Sequence, residues 1–282
     1  MASAERSAVP AAERPLIGRL REQLRAAEAA LGLNDGARPL ALGIAAIDGV
    51  LGGGLSRGAL HEIAAAREPE IASATGFVLG LAGYLQETAG SSFTLLPRAK
   101  RAVGRGEAGS IVWIAEDLSL AESGAPYGPG LVEAGVAPER LITVIAARGH
   151  DVLWAMEEAL RCRACGVVIG ELRARAIDRV ASRRLALAAA AGNTLGLLLR
   201  PAPDDDASAA ATRWIAGASP SAFSPHGVGP PRLALRLTRN RRGHLGTWIV
   251  EWDSVEQRFV LATHSEPVVR QAADRPHRTA MA

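Results

Sequence analysis

The sequence predicts an α/β fold built around a mostly parallel sheet. Short apolar runs recur at 59–64, 111–115, 141–145, 167–169 and 194–199. Stretches with apolar residues at helical spacing occupy 75–88, 152–163 and 177–191. Glycine, proline and charged clusters separate the two kinds of segment. Strands alternating with helices in this way are the pattern of parallel strands joined by crossover helices.

Residues 1–14 are mostly Ala, Ser, Glu, Arg and Pro, a composition that reads as a disordered start. Leu16, Leu20, Leu24, Ala27 and Leu31 then fall at helical spacing, and Gly32 ends the run. This amphipathic helix either folds back on its own core or forms an arm that docks on another protein. The glycines of 42–58 allow tight turns ahead of the 59–64 strand. Phe77, Leu79, Leu81, Tyr84 and Leu85 mark the first core helix. Residues 91–110 read as a loop around Arg98, Lys100, Arg101 and Arg105. The 118–132 stretch is turn-rich, and Val152, Ala155, Met156, Ala159 and Leu160 share one face of the next helix. Residues 201–231, rich in Pro and Gly and carrying Asp204-Asp205-Asp206, read as a mobile connection. Two β segments follow at 232–239 and 246–253, with Arg239-Asn240-Arg241-Arg242-Gly243 as their turn, and 258–262 offers a third. The expected division is 1–36 (N-terminus and helix), 37–265 (core) and 266–282 (disordered tail).

Of 282 residues, 48% are hydrophobic and 22% charged, enough for a substantial core. No charge-free apolar run reaches the roughly 18 residues of a membrane span, and no signal-peptide core opens the chain. Two cysteines exclude a disulfide scaffold, so the expected compartment is the cytoplasm. Lys100 is the single lysine among 32 basic residues. The net charge of +3 leaves a nucleic-acid partner open without establishing one.

The glycine-rich segment is the strongest motif. Ile47-Asp48 is followed by Leu51-Gly52-Gly53-Gly54-Leu55, then Arg57-Gly58, then Glu62-Ile63 on a strand. This resembles the opening of the RecA-type ATPase core, where such a stretch leads into a phosphate-binding loop. Ile114-Ala115-Glu116-Asp117 resembles the strand end that carries that family's catalytic glutamate. The 127–172 stretch is similar to the next strand–helix–strand unit, and Asn193-Thr194-Leu195-Gly196 to the strand after it. The resemblance covers roughly 38–253.

The departures concern function. A working loop needs G-x-x-x-x-G-K-[ST], with backbone N–H groups and a lysine facing the phosphates. Residues 64–77 hold no lysine and a single glycine, Gly76, and they add carboxylates where a triphosphate would sit. The strand 167–169 ends in Gly170-Glu171-Leu172, without the aspartate that helps hold magnesium. What remains is a relic pocket of Ser73, Thr75, Gly76, Glu116 and Glu171, whose hydroxyls and helix-start N–H groups could meet an anion.

A RecA-like core with an erased loop, an N-terminal helix, and Arg239-Asn240-Arg241-Arg242-Gly243 followed by Trp248-Ile249-Val250-Glu251-Trp252-Asp253 resembles the ImuA family of SulA/RecA-like mutagenesis proteins. The resemblance implies an α/β RecA-like three-layer sandwich with an N-terminal helical arm and a C-terminal β-hairpin extension. It implies a non-catalytic adaptor in DNA-damage-induced mutagenesis (translesion synthesis), needing no cofactor or metal. Its partners would be an ImuB-like protein and an error-prone DNA polymerase, with RecA a further candidate. Leu16, Leu20, Leu24 and Leu31 would form the partner-binding helix. Arg239, Arg241 and Arg242 would supply DNA or partner contacts, sequence-blind if to DNA. The competing readings are an active RecA-type DNA-dependent ATPase and a SulA-like cell-division inhibitor.

Other candidates read as structural. Cys162-Arg163-Ala164-Cys165 falls at a helix end before a strand, and no second Cys or His pair completes a zinc site. The six histidines are scattered. Trp214 and Phe223 read as loop anchors rather than base-stacking platforms. The acidic 204–206 run argues against recombinase-type strand binding.

Overall fold

A computed structural model describes residues 39–90, 109–173, 177–221, 227 and 229–262, without the side chains of 86–90. The expected N-terminal helix, the 98–105 basic cluster, Phe223 and the C-terminal tail lie outside the described residues. Among those described, nine strands form one sheet. They are β1 (Ala59–Ala65), β2 (Ser110–Glu116), β3 (Leu141–Ala146), β4 (Cys165–Glu171), β5 (Leu195–Arg200), β6 (Thr212–Ser219), β7 (Arg232–Asn240), β8 (Gly246–Asp253) and β9 (Arg258–Leu261). The helices are α1 (Ala45–Leu51), α2 (Ile71–Gly90), α3 (Asp117–Ser123), α4 (Gly128–Glu133), α5 (Gly149–Arg161) and α6 (Arg179–Gly192).

The strand order is β3-β2-β4-β5-β1-β6-β7-β8-β9. The first six are parallel, and β6 to β9 continue as an antiparallel meander. Burial follows from this layout. All six residues of β5 are buried, because both faces of a central parallel strand are covered. Alternation divides each strand between two cores: Val167 and Ile169 face α2, whereas Val168 faces α5 and α6. Helices on both faces complete the three-layer sandwich that the resemblance implies. Among the described residues, no helix is long and apolar enough to cross a membrane.

Close approaches require glycine at Gly54 and Gly192 among others. Gly54 (φ +129°) lies against the Leu40 backbone at the Leu40–Leu55 bridge. A Cβ on Gly192 would strike the Leu160 carbonyl where α6 ends beside α5. The left-handed Asn193 (φ 53°) then closes α6 before β5.

The structure corrects several expectations. The 201–231 stretch is not one mobile connection: β6 lies inside it and pairs with β1 along Thr212–Ala216. Trp214 faces inward there, among Phe77 and Trp248, while Arg213 and Gly217 dilute the apolar pattern that would mark a strand. Helix α2 starts at Ile71 rather than at 75. The turn-rich 118–132 stretch contains α3 and α4. The third β segment is present as β9.

The connection 201–211 must carry the chain from the end of β5 to the start of β6, across β1. It contains no helix, so polar ties hold it. Glu62, 3% exposed on β1, accepts from Arg213 Nε at 2.5 Å and from the Ser208 hydroxyl. Arg213 Nη2 also donates to Asp204 Oδ1 at 2.9 Å. Arg200, 2% exposed, pairs with Asp204 and lies 3.9 Å from Glu62. The Ala209 N–H donates to Ser182 Oγ on α6 at 3.1 Å. Replacing Glu62 by Gln would leave Arg200 and Arg213 sharing one carboxylate in a buried site. Breaking a buried pair costs about 3–5 kcal/mol, so urea unfolding of Glu62→Gln should show a loss of that order.

Candidate functional site

The carboxyl ends of β1, β2 and β4 are where a parallel sheet of this type presents its ligand site. From β1 the chain passes through Ala66 and Arg67 into a 3-10 turn at Glu68–Glu70, then into α2. A phosphate-binding loop would expose successive N–H groups here. This turn instead holds Pro69, which has no N–H, and the Glu70 N–H is spent on the Arg67 carbonyl at 2.8 Å. The Glu70 side chain lies across the opening. One oxygen accepts from Arg67 Nε at 2.6 Å, and the other from the Ala218 N–H of β6 at 3.1 Å. The Arg67 bond, then the Ala218 bond, hold its carboxyl below the usual range. A Cβ on Gly217 would lie 2.6 Å from Glu70 Oε2, so glycine makes room for the carboxylate. The cation of this connection, Arg67, is thus paired with the Glu70 carboxylate beside it.

The sequence-derived pocket residues divide into two groups. Ser73 and Gly76 line a cavity of about 540 Å³ whose walls include Leu79, Leu233, Trp252 and Phe259. Thr75, also on α2, does not line it. Glu116 and Glu171 lie instead at the ends of the adjacent strands β2 and β4, with Ala115 registered against Glu171. Glu116 accepts the Arg173 N–H at 2.9 Å. Glu171 accepts from Trp113 Nε1 at 3.1 Å, and burial pushes its carboxyl up despite that bond. Arg173 is ion-paired with Glu122. The carboxylates are therefore held by protein donors. Among the described residues, no group of His, Cys, Asp and Glu is arranged to hold a metal. The aromatic walls of the cavity, Trp252 and Phe259, went unread in the sequence as walls.

The basic turn between β7 and β8 is tied down by hydrogen bonds. Arg239 Nη1 donates to the Ser208 carbonyl at 2.6 Å, and the Arg241 guanidinium to that of Ala209. Arg242 is exposed, and its N–H donates to Asn240 Oδ1 at 3.0 Å. Cys162 caps α5 and Cys165 opens β4, as expected; burial and the neighbouring Cys162 push the Cys165 thiol up to about 11.

His61 lies on β1 under this turn. Its Nε2 faces the Ser56 carbonyl at 3.0 Å, which can only accept, so Nε2 carries the proton. Nδ1 then accepts from the Thr212 hydroxyl at 2.8 Å, and that oxygen accepts from Trp214 Nε1 at 2.9 Å. Burial, reinforced by Arg242 and Arg241, lowers the imidazole from 6.5 to about 4. A depressed histidine contributes stability above pH 6.5, and that contribution is lost as the pH falls toward 4, because the unfolded chain takes up the proton first. The shift corresponds to about 3 kcal/mol. The unfolding free-energy gap between the native chain and His61→Gln should therefore narrow by up to that amount from pH 7 to pH 4; a gap constant with pH would contradict it.

No family model matches the chain. Protein ImuA of Caulobacter vibrioides (strain NA1000 / CB15N) is 31% identical over 225 residues, spanning 75% of this chain and 82% of that protein. Protein ImuA of the ATCC 19089 / CIP 103742 / CB 15 strain matches to the same extent. Among solved structures, the RadB recombinase superposes with a TM-score of 0.52 at 13% identity, covering 79% of this chain and all of that one.

Proposed function

The chain belongs to the ImuA family, and from that premise we propose that it is a non-catalytic RecA-like accessory protein of DNA-damage-induced mutagenesis. In this reading the sheet serves as an interaction scaffold. It joins an ImuB-like protein to an error-prone polymerase during translesion synthesis in the cytoplasm.

The observation that carries the reading is Glu70. Phosphoryl transfer needs cations and N–H donors converging on the β- and γ-phosphates. Here the β1–α2 connection presents a carboxylate bonded to Arg67 and to β6, and no lysine lies within the connection. Glu116, the residue matching the family's water-activating glutamate, accepts a backbone N–H from Arg173. Each feature supports a fold kept for its surfaces rather than for turnover.

Millimolar Mg-ATP should leave the melting temperature unchanged, since a ligand of the native state would raise it by mass action. A turnover of ~1 per second, abolished in Glu116→Gln, would establish the ATPase reading instead. The partner arm is tested separately. Leu20→Asp with Leu24→Asp should weaken capture of the ImuB-like protein by several kcal/mol, because each buried leucine contributes roughly 1.5–3 kcal/mol. Unchanged capture would mean that the helix packs on its own core.

A further inference from the structure

Cys162 and Cys165 are the chain's two cysteines, and both are free. In the sequence their position at a helix end reads as structural. The structure gives the pair a geometry with a chemical use. Helix α5 ends at Arg161, and Cys162 to Cys165 make the turn that carries the chain into β4. The Cys165 N–H donates to the Cys162 carbonyl at 3.1 Å and closes this turn. A four-residue turn so closed keeps its first and last Cα atoms within about 7 Å. A disulfide spans roughly 4.4–6.8 Å between the same atoms. The two thiols already lie within hydrogen-bond reach of each other.

The turn is pinned from two sides. The Ser110 N–H of β2 donates to the Ala164 carbonyl at 3.1 Å. The Thr194 hydroxyl stands 3.4 Å from the carbonyls of Cys162 and Cys165. Sulfurs held together in this way react as though at high concentration. Their access differs. Cys162 is exposed among the exposed Arg161, Arg163 and Ala164, whereas Cys165 is half-buried at the start of β4. Two sulfurs are only half of a tetrahedral zinc set. Among the described residues, no group of three His, Cys, Asp or Glu side chains supplies the rest.

We propose that Cys162 and Cys165 close a reversible disulfide when the protein meets a peroxide, with Cys162 oxidised first and Cys165 resolving it. The Cys162 sulfur attacks one peroxide oxygen. An S–O bond forms, the O–O bond breaks, and the departing hydroxide leaves as water with the thiol's proton. Cys162 is then a sulfenic acid. The Cys165 sulfur attacks the Cys162 sulfur, the S–O bond breaks, and the hydroxyl leaves with the Cys165 proton as a second water. Two thiols are oxidised and one peroxide is reduced, by two electrons. Burial, then the neighbouring Cys162, keeps Cys165 protonated, which suits a sulfur that gives up its proton only in the second step. A dithiol reductant reverses the bond by exchange. This inference does not depend on the adaptor reading, since neither sulfur takes part in it.

Because the chain holds no other cysteine, a thiol count on the full chain reads this pair alone. The reduced protein is treated with hydrogen peroxide, blocked with N-ethylmaleimide under denaturing conditions, and weighed intact. The native chain should lose two hydrogen atoms, take up no maleimide and run as a monomer on a non-reducing gel. Dithiothreitol should restore both maleimide adducts. The rate of closure per chain should not change with protein concentration. Cys165→Ser should stop at the sulfenic acid and be trapped by dimedone on Cys162, whereas Cys162→Ser should give neither disulfide nor dimedone adduct. Two maleimides on the peroxide-treated native chain would overturn the proposal. So would sulfinic acid on Cys162 beside a free Cys165, or a disulfide-linked dimer in place of the internal bond. Equal dimedone trapping in the two variants would overturn the order of oxidation. The mass and thiol count are taken on the native chain, so they decide the matter even if a variant fails to fold.

Discussion

A single buried carboxylate, Glu62, ties down the helix-free crossing between the two halves of this sheet. β1 is the last strand of the doubly covered parallel half and the neighbour of β6, with which the meander begins. The chain must cross from β5 to β6 without a helix, and Glu62 gathers the ends of that crossing through Arg213 and Ser208. A helix would have satisfied its own backbone; an extended crossover has to find its donors and acceptors in side chains. Hence Arg200 and Arg213 at the two ends of the crossing, and hence Arg239 and Arg241 spending donors on the carbonyls of 208 and 209. At these positions, charge that would suggest a ligand site in the sequence is structural.

The same economy shaped the end of β1. A phosphate-binding connection keeps its backbone N–H groups free for the ligand. In this chain Glu70 and the β6 backbone complete it from within. The carboxylate set across that connection would repel a phosphate, whereas the apolar cavity beside Ser73 and Trp252 remains open. Ser73 and Gly76 line that cavity, whereas Glu116 and Glu171 sit at the ends of β2 and β4 and are bonded to Arg173 and Trp113.

The parallel strands were legible because short buried apolar runs and helical periodicity are local signals. β6 was not: Arg213 points to a buried ion network, and Gly217 makes room for Glu70, so neither residue reads as strand without its distant partner. The erased loop was legible as an absence of lysine and glycine. How it is closed was not, since the Glu70–Ala218 bond joins residues 148 positions apart. His61 likewise looked unremarkable, and only the Ser56 carbonyl fixes its tautomer.

The strand order has a consequence for how the chain is made. β1 is among the earliest strands synthesised, yet both of its neighbours, β5 and β6, begin more than a hundred residues later. Its two edges have no partner in the nascent chain until nearly the whole of 59–219 has been produced. Contacts of such separation are slow to form, because loop closure precedes any reward from pairing. β2, β3 and β4 can meet sooner, so assembly runs from that edge of the sheet inward. The apolar strand that begins the core is then among the last to be enclosed, and its wait is the interval in which the growing chain is most exposed to aggregation.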